Sequence, residues 1–399
     1  MSKKILLISA VFSPEPVVSA KLSEDLAIAL SKLHKVSVLA PKPTRPYGFE
    51  FKNEPKKDSF SLINLESYTC PKSNLIGRLK ESYSFGIACK KYIQENHKKI
   101  DLVYMNSWPI FAQYFTAKTA SKYNISLVTH VQDVYPESLS NKMSFLGGLF
   151  NILLKPIDKF TLKKSKKIIA ISSKMKNYLA LTRNISLKKI IVVKNWQNEE
   201  AFIAYDKINK NINNKEKLFT FMYMGNIGPV ASIDLLIESF YNANLEKCKL
   251  VIAGSGSKKE ELENMVSSRN IERVEFVTVA DGKVPEIQSK ADVMLLPIKK
   301  GAASSSIPSK LPAYMFSKKP IIASVDLDSD SAKAINTANS GWVIEPEDEV
   351  VLAKTMKVAS LLSRKELNIK GENGFKYAME NLSKNNNLQQ VVNAILELI

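Results

Sequence analysis

Residues 301–330, Gly301 to Asp330, read GAASSSIPSKLPAYMFSKKPIIASVDLDSD. A serine run leads into Pro308-Ser309-Lys310, then a short apolar segment, then the apolar stretch Pro320 to Val325. Pro312 lacks an N–H and is tolerated only in the first turn of a helix. The helix is therefore expected to begin near Ser309 or Lys310, with Ser309 or Ser306 as N-cap. Free N–H groups at such a start, together with one ammonium, suit an anion. A helix followed at once by a buried strand is also the punctuation of an α/β fold.

Working outward, the same alternation runs through the chain. In the first half, Lys4 to Ser9, Val36 to Ala40, Leu102 to Met105, Ser126 to His130, Lys167 to Ile171 and Ile190 to Val193 read as strands. Ala20 to Leu33 reads as an amphipathic helix with Leu22, Leu26, Ala29 and Leu33 on one face. In the second half, Leu218 to Met224, Lys249 to Ala253, Val274 to Val279, Asp292 to Leu296 and Pro320 to Ser324 read as strands, with a helix over Ala231 to Ala243. Continuous apolar strands separated by helices imply parallel sheets covered on both faces. The Asn/Lys-rich segment Asp206 to Lys217 is the clearest break and reads as a surface loop near a domain boundary. The expected units are residues 1–196 and 197–375, with a C-terminal helix over about 376–399 packing back on the first.

With 57 basic and 39 acidic residues, the chain carries a net charge of +18. That suits a nucleic acid, an anionic membrane or a phosphorylated substrate. No helix-turn-helix, zinc-ligand or aromatic single-strand signature accompanies the charge, which argues against a nucleic-acid partner. Cys70, Cys89 and Cys248 are scattered and form no metal or disulfide framework, as in a reducing cytoplasm. No segment has 18 consecutive apolar residues.

Three turns carry candidate chemistry. Gly225-Asn226-Ile227-Gly228 and Gly254-Ser255-Gly256 each follow a strand and precede a helix, and the third is Ser306 to Lys310. Glycines there let backbone approach phosphate or sugar. One such turn is weak; three at successive strand ends are more specific. The first βα turn, Ser9 to Pro14, contains no glycine, against a dinucleotide-dependent dehydrogenase.

Together with Phe12-Ser13-Pro14-Glu15-Pro16, with His130 to Ser138 (HVQDVYPES) and with Asn195-Trp196, these pieces resemble the retaining glycosyltransferases of family 4. The resemblance spans nearly the whole chain. It is strongest to the branch that builds bacterial surface polysaccharides such as capsule and O-antigen. It implies the GT-B fold, two doubly wound Rossmann-like domains facing across a cleft. It implies a nucleotide diphosphosugar donor, most simply UDP-linked, held by the C-terminal domain. A lipid-linked or oligosaccharide acceptor would be met by the N-terminal domain. No cofactor and no metal are implied, so donors and cations must neutralise the leaving diphosphate. Gly225, Asn226, Gly254, Ser306, Ser309 and Lys310 are the implied donor-binding residues. The family's paired glutamates correspond to Ser305 and Ala313, and its Arg and Lys after the first turn to Asn226 and Ala231. Val18 and Ala20 stand where the first loop usually has glycines. The diphosphate is therefore expected to fall to Lys310 or to another basic residue. A nucleotide-sugar epimerase on the same scaffold, or a non-enzymatic nucleic-acid-binding protein, are the rival readings.

Of the three histidines, His34 and His97 read as solvated. His130 ends a strand beside Gln132, Asp133 and Glu137. His130, Asp133 and Glu137 are the catalytic candidates, able to hydrogen-bond acceptor hydroxyls or move a proton. The acidic run Asp326 to Asp330 reads either as a reader of donor-sugar substituents or as a solvated loop. Met143 to Lys167 sets Phe145, Leu146, Leu149, Phe150, Ile152, Leu153 and Leu154 before Lys155, Lys159, Lys163, Lys164, Lys166 and Lys167. Such a basic amphipathic stretch suits the inner face of the cell membrane, with the protein cytoplasmic and peripheral.

Overall fold

The computed structural model describes residues 2–45, 51, 59–71, 74–106, 109–140, 147–209, 218–229, 231–280, 282–301 and 307–399. Residues 210–217 of the polar segment, Met143 to Leu146, and Ser305 and Ser306 lie outside the described residues. The chain divides into two compact units. One comprises Met1–Asn195 with Asn387–Ile399, the other Trp196–Asn386.

The first unit holds a seven-stranded, wholly parallel sheet. Its strands are β1 (Lys4–Ile8), β2 (Lys35–Pro41), β3 (Ser61–Leu65), β4 (Leu102–Asn106), β5 (Ser126–Val131), β6 (Lys167–Ala170) and β7 (Ile190–Val192). They lie in the order β3-β2-β1-β4-β5-β6-β7. β1, β4 and β5 are almost wholly buried, which is why they read as unbroken apolar runs. β3 was not expected; its alternating, partly exposed SLINL marks an edge strand.

The second unit has a six-stranded parallel sheet in the order β10-β9-β8-β11-β12-β13. Its strands are β8 (Phe219–Met224), β9 (Cys248–Ala253), β10 (Val274–Val277), β11 (Val293–Pro297), β12 (Ile321–Ser324) and β13 (Gly341–Ile344). β13 is a second unexpected edge strand; its GWVI is too short to stand out by periodicity. Two apolar layers cover this sheet. One includes Met222, Leu296, Leu311 and Met315, the other Phe221, Ile237, Leu295 and Met356.

In both sheets strand order reverses once, between β1 and β4 and between β8 and β11. Ligands of open α/β sheets bind beyond the carboxyl ends of the strands at such a reversal. The residues just after these strands are therefore the ones to inspect.

A buried ion cluster fixes the far side of the first unit. Arg183, at the end of helix Ser173–Arg183, is fully buried. Its Nη1 and Nη2 donate to Glu137 Oε1 and Oε2, both at 2.6 Å, and its Nε donates to Asp158 Oδ2 at 2.6 Å. Breaking a buried pair strands an uncompensated charge, at about 3–5 kcal/mol. Arg183→Met should therefore lower the denaturant midpoint of the unfolding transition by that order. A midpoint unchanged from wild type would show that the cluster carries no stability.

Candidate functional site

The second unit's reversal point is built on Tyr314. β8 and β11 pair only through Phe221 and Met222. At Met224 the ladder is replaced by a side chain. The Tyr314 hydroxyl accepts from the Met224 N–H at 3.0 Å and donates to the Met224 carbonyl at 2.8 Å. Tyr314 belongs to helix Lys310–Phe316 and is fully buried. The helix begins at Lys310 as expected. Ser309 occupies the N-cap position but is helical in backbone and makes no side-chain cap bond, so it is an exposed residue rather than a working cap. Ser306 lies outside the described residues.

Pinned this way, the helix lays Lys310 over the turn after β8. A Cβ on Gly225, whose φ is +154°, would stand 2.0 Å from Lys310 Cε. A side chain there would have to displace the end of the lysine, and the backbone conformation itself favours glycine. The Lys310 ammonium sits 5.3 Å from the Tyr223 ring centroid. Burial lowers its pKa below the ordinary lysine value. Among the described residues no carboxylate lies within ion-pair distance of it. Gly254 comes equally close: a Cβ there would fall 2.0 Å from the Gly225 carbonyl oxygen. The turns after β8 and β9 are thus stacked backbone on backbone, joined by Gly225 N–H to Ala253 O at 2.9 Å and Ile227 N–H to Ser255 O at 2.8 Å. Asn226 is exposed, its amide lying against Gly228 and Gly256, and its carbonyl accepts from the Tyr223 hydroxyl at 2.6 Å. Gly225, Asn226, Gly254 and Lys310 therefore form one cluster, with Ser309 at its margin.

The acidic run is structural in most of its length. Asp326 accepts the Gly301 N–H with both oxygens at 3.0 Å, and Ser329 caps helix Asp330–Ala338 through the Ala332 N–H.

In the first unit, His130 ends up buried at the carboxyl end of β5. Its Nδ1 is 2.7 Å from the Tyr104 hydroxyl, and its Nε2 has no partner among the described residues. Burial pulls its pKa down to about 4, so the imidazole is neutral at neutral pH. Asp133 is half-buried, and its charge adds to burial in pushing the Tyr135 hydroxyl up to about 12. No hydrogen bond joins His130 to Asp133 or Glu137 among the described residues. Burial raises the Glu137 pKa, but the Arg183 hydrogen bonds and charge outweigh it and hold the carboxyl below the usual range. The Tyr178 hydroxyl also donates to it at 3.0 Å. Glu137 is thereby an anchored carboxylate, poorly suited to take up a proton. His34 and His97 are half-buried rather than solvated. His34 Nδ1 accepts from the Lys3 N–H, and His97 stacks on Tyr123 at 4.1 Å.

Sequence reasoning missed Tyr314, Tyr223, Tyr104, Asn106 and Arg183. Tyr314 stood inside the opening stretch, four residues after Lys310, where one helical turn puts it beside the lysine. Nothing local distinguishes Arg183 from the many exposed basic residues.

Residues 20–200 match the family described as Glycosyltransferase Family 4, and residues 205–377 match Glycosyl transferases group 1. The chain is a glycosyltransferase, built from a family 4 domain and a group 1 domain. It is 24% identical over 280 residues to the putative colanic acid biosynthesis glycosyl transferase WcaI of Escherichia coli K12, covering 67% of each chain. It is 21% identical over 233 residues to the probable glycosyltransferase WbjE of Pseudomonas aeruginosa, covering 56% of this chain and 57% of that one. In structure it resembles Anabaena HepE in complex with UDP, at a TM-score of 0.71 and 14% identity, over 99% of this chain and 100% of that one. The two parallel-sheet units are those of the GT-B fold.

Tyr314→Phe tests the pin. It removes both partners of the buried Met224 N–H and carbonyl, and each orphaned group costs roughly 1–3 kcal/mol. The expected result is a lower melting temperature with the overall circular dichroism retained. No drop in melting temperature would mean that water or β11 replaces the hydroxyl.

Proposed function

We propose that this glycosyltransferase moves a sugar, with retention of anomeric configuration, from a UDP-linked donor to a lipid-linked or oligosaccharide acceptor in bacterial surface polysaccharide synthesis. The observation that carries the donor half is Lys310, a half-buried ammonium beside two glycine turns with no carboxylate within ion-pair distance among the described residues. An ammonium held in that state is the partner a diphosphate lacks in a metal-independent site. Gly225, Gly254 and Asn226 would let the nucleotide approach, with Ser309 at the edge. HepE, of the same fold, has been crystallised with UDP and with UDP-glucose. On the first unit, His130 and Asp133 would meet the reacting sugars, with Glu137 holding their loop to Arg183. The departing diphosphate can itself accept the acceptor's proton, so no enzymic base is required.

Lys310→Met separates this from a structural role by sign. The thioether keeps the stem on Gly225 and removes a charge that burial disfavours. Without ligand, the variant should melt at or above the wild-type temperature. A ligand at 100 times its Kd stabilises by about 2.7 kcal/mol. UDP at millimolar concentration should raise the wild-type melting temperature and leave Lys310→Met nearly unmoved, and turnover should fall. If neither UDP nor any other nucleoside diphosphate or nucleotide sugar stabilises the wild type, the donor reading is lost.

We also propose peripheral attachment to an anionic membrane through the first unit. On helix Gly147–Lys164, Leu149, Ile152 and Leu153 are exposed on one face, a turn or more before Lys163 and Lys164. Phe160 meets Tyr114 of the neighbouring helix in a tilted contact at 5.1 Å, and Lys164 and Lys118 lie over those rings. Exposed Ile76 and Tyr83 lie on the next helix, Leu75–Asn96. Apolar and aromatic side chains rimmed by lysines suit the headgroup boundary, where each lysine contributes about 1 kcal/mol. Lys167 is paired with Glu397 and is excluded from the set. Among the described residues no helix is long and apolar enough to cross a membrane. Vesicles containing phosphatidylserine should bind the protein at low salt and release it as salt rises. Replacing Lys163, Lys164 and Lys166 with Gln should weaken binding and spare the UDP shift. Equal binding to neutral vesicles would sink the electrostatic part.

A further inference from the structure

Five buried polar side chains meet where β1 and β4 diverge: Ser9, Ser23, Tyr104, Asn106 and His130. Their hydrogens can be assigned one after another. The Ser9 hydroxyl donates to the Val11 carbonyl at 2.6 Å, and the Ser23 hydroxyl donates to the Ser19 carbonyl at 2.8 Å. Each serine has one hydrogen, so both oxygens are left as acceptors toward Asn106. The Ser9–Ser23 approach of 3.1 Å is longer than either carbonyl bond. The Asn106 group facing them must be its NH2, which donates to Ser23 at 2.7 Å and to Ser9 at 3.2 Å. Asn106 Oδ1 then turns to the Tyr104 hydroxyl, 3.2 Å away.

Tyr104 also has a single hydrogen. Given to His130, it would leave two lone-pair oxygens facing each other and Asn106 Oδ1 buried without a donor. Given to Asn106, it leaves the phenol oxygen as acceptor, and the 2.7 Å contact must then be His130 Nδ1–H donating to Tyr104. We infer that Ser9, Ser23, Asn106 and Tyr104 form a proton-ordered chain that holds His130 as its Nδ1–H tautomer. Nε2 then carries a bare lone pair, buried and without a partner among the described residues. It can be satisfied only by an O–H or N–H group, which on the reading proposed above is a sugar hydroxyl. Tyr104 and Asn106 are positioning residues in this scheme; they touch no ligand.

The tautomer is readable without any substrate. Nitrogen-15 NMR of histidine-labelled protein at neutral pH distinguishes a protonated from an unprotonated ring nitrogen. The double variant His34→Gln/His97→Gln leaves His130 as the sole source of signal. The expected spectrum has Nδ1 protonated and Nε2 not. Asn106→Leu removes the acceptor for Tyr104, which then donates to Nδ1, so the proton should move to Nε2. Tyr104→Phe should also move it, by removing the acceptor for Nδ1–H. A wild-type spectrum with Nε2 protonated overturns the inference, as does a folded Asn106→Leu that keeps the original tautomer. Should both variants fail to fold, the wild-type spectrum still decides. Absence of nucleotide binding would sink the donor reading and leave this result standing.

Discussion

The two hydrogen bonds between the Tyr314 hydroxyl and the Met224 backbone are the constraint on which the second unit's site depends. A parallel sheet that opens at its reversal point exposes backbone groups that need partners. Here a side chain supplies them, and the same helix carries Lys310 one turn earlier. The phenol that closes the sheet therefore also sets the ammonium over Gly225. Gly225, whose φ of +154° disfavours other residues, leaves the lysine stem the place a Cβ would take. Sheet, helix start, cation and glycine turn form one dependent series, each element fixed by the previous one.

The two reversal points differ in chemistry. The second unit places a cation among backbone turns, with no carboxylate within ion-pair distance among the described residues. The first places neutral groups: a buried imidazole below its ordinary pKa, a phenol above its own, an amide and two hydroxyls. A charge seeks an opposite charge, whereas a neutral network discriminates by the direction of its hydrogen bonds. The first arrangement suits a diphosphate and the second suits hydroxyl groups. Of the two carboxylates that sequence alone places near the chemistry, Asp133 and Glu137, the second is instead tied up. Glu137 is held by Arg183 and Tyr178, and Asp158 by Arg183.

The fold was legible because buried parallel strands leave unbroken apolar runs, as in Lys4–Ile8 and Val293–Pro297. The edge strands β3 and β13 were not, because one partnered side and partial exposure weaken the pattern. In the donor cluster, glycines and Lys310 were readable, since a turn after a strand has few uses for glycine other than close approach. Tyr314 was not, because a buried tyrosine in an apolar helix looks like core until its hydroxyl is seen bridging Met224. The histidine network was hidden for a different reason. Ser9 just after β1, Ser23 on helix Val18–Ser31, Tyr104 and Asn106 on β4 and His130 on β5 are far apart in sequence, and only the β1-β4-β5 adjacency brings them together.

The lysine at position 310 also bears on stability. Burial of an ammonium without a counter-charge opposes folding, and an apolar side chain of similar length would fill the same space at lower cost. On the reading proposed above, a bound anion would offset that cost. Among the described residues the offset does not come from a carboxylate, because none lies within ion-pair distance. It cannot come from the Tyr223 ring alone, since a lysine over an aromatic face contributes roughly 0.5–2 kcal/mol. On the donor reading proposed above, a bound diphosphate would supply the missing counter-charge, so the cost of burying Lys310 would be regained on binding.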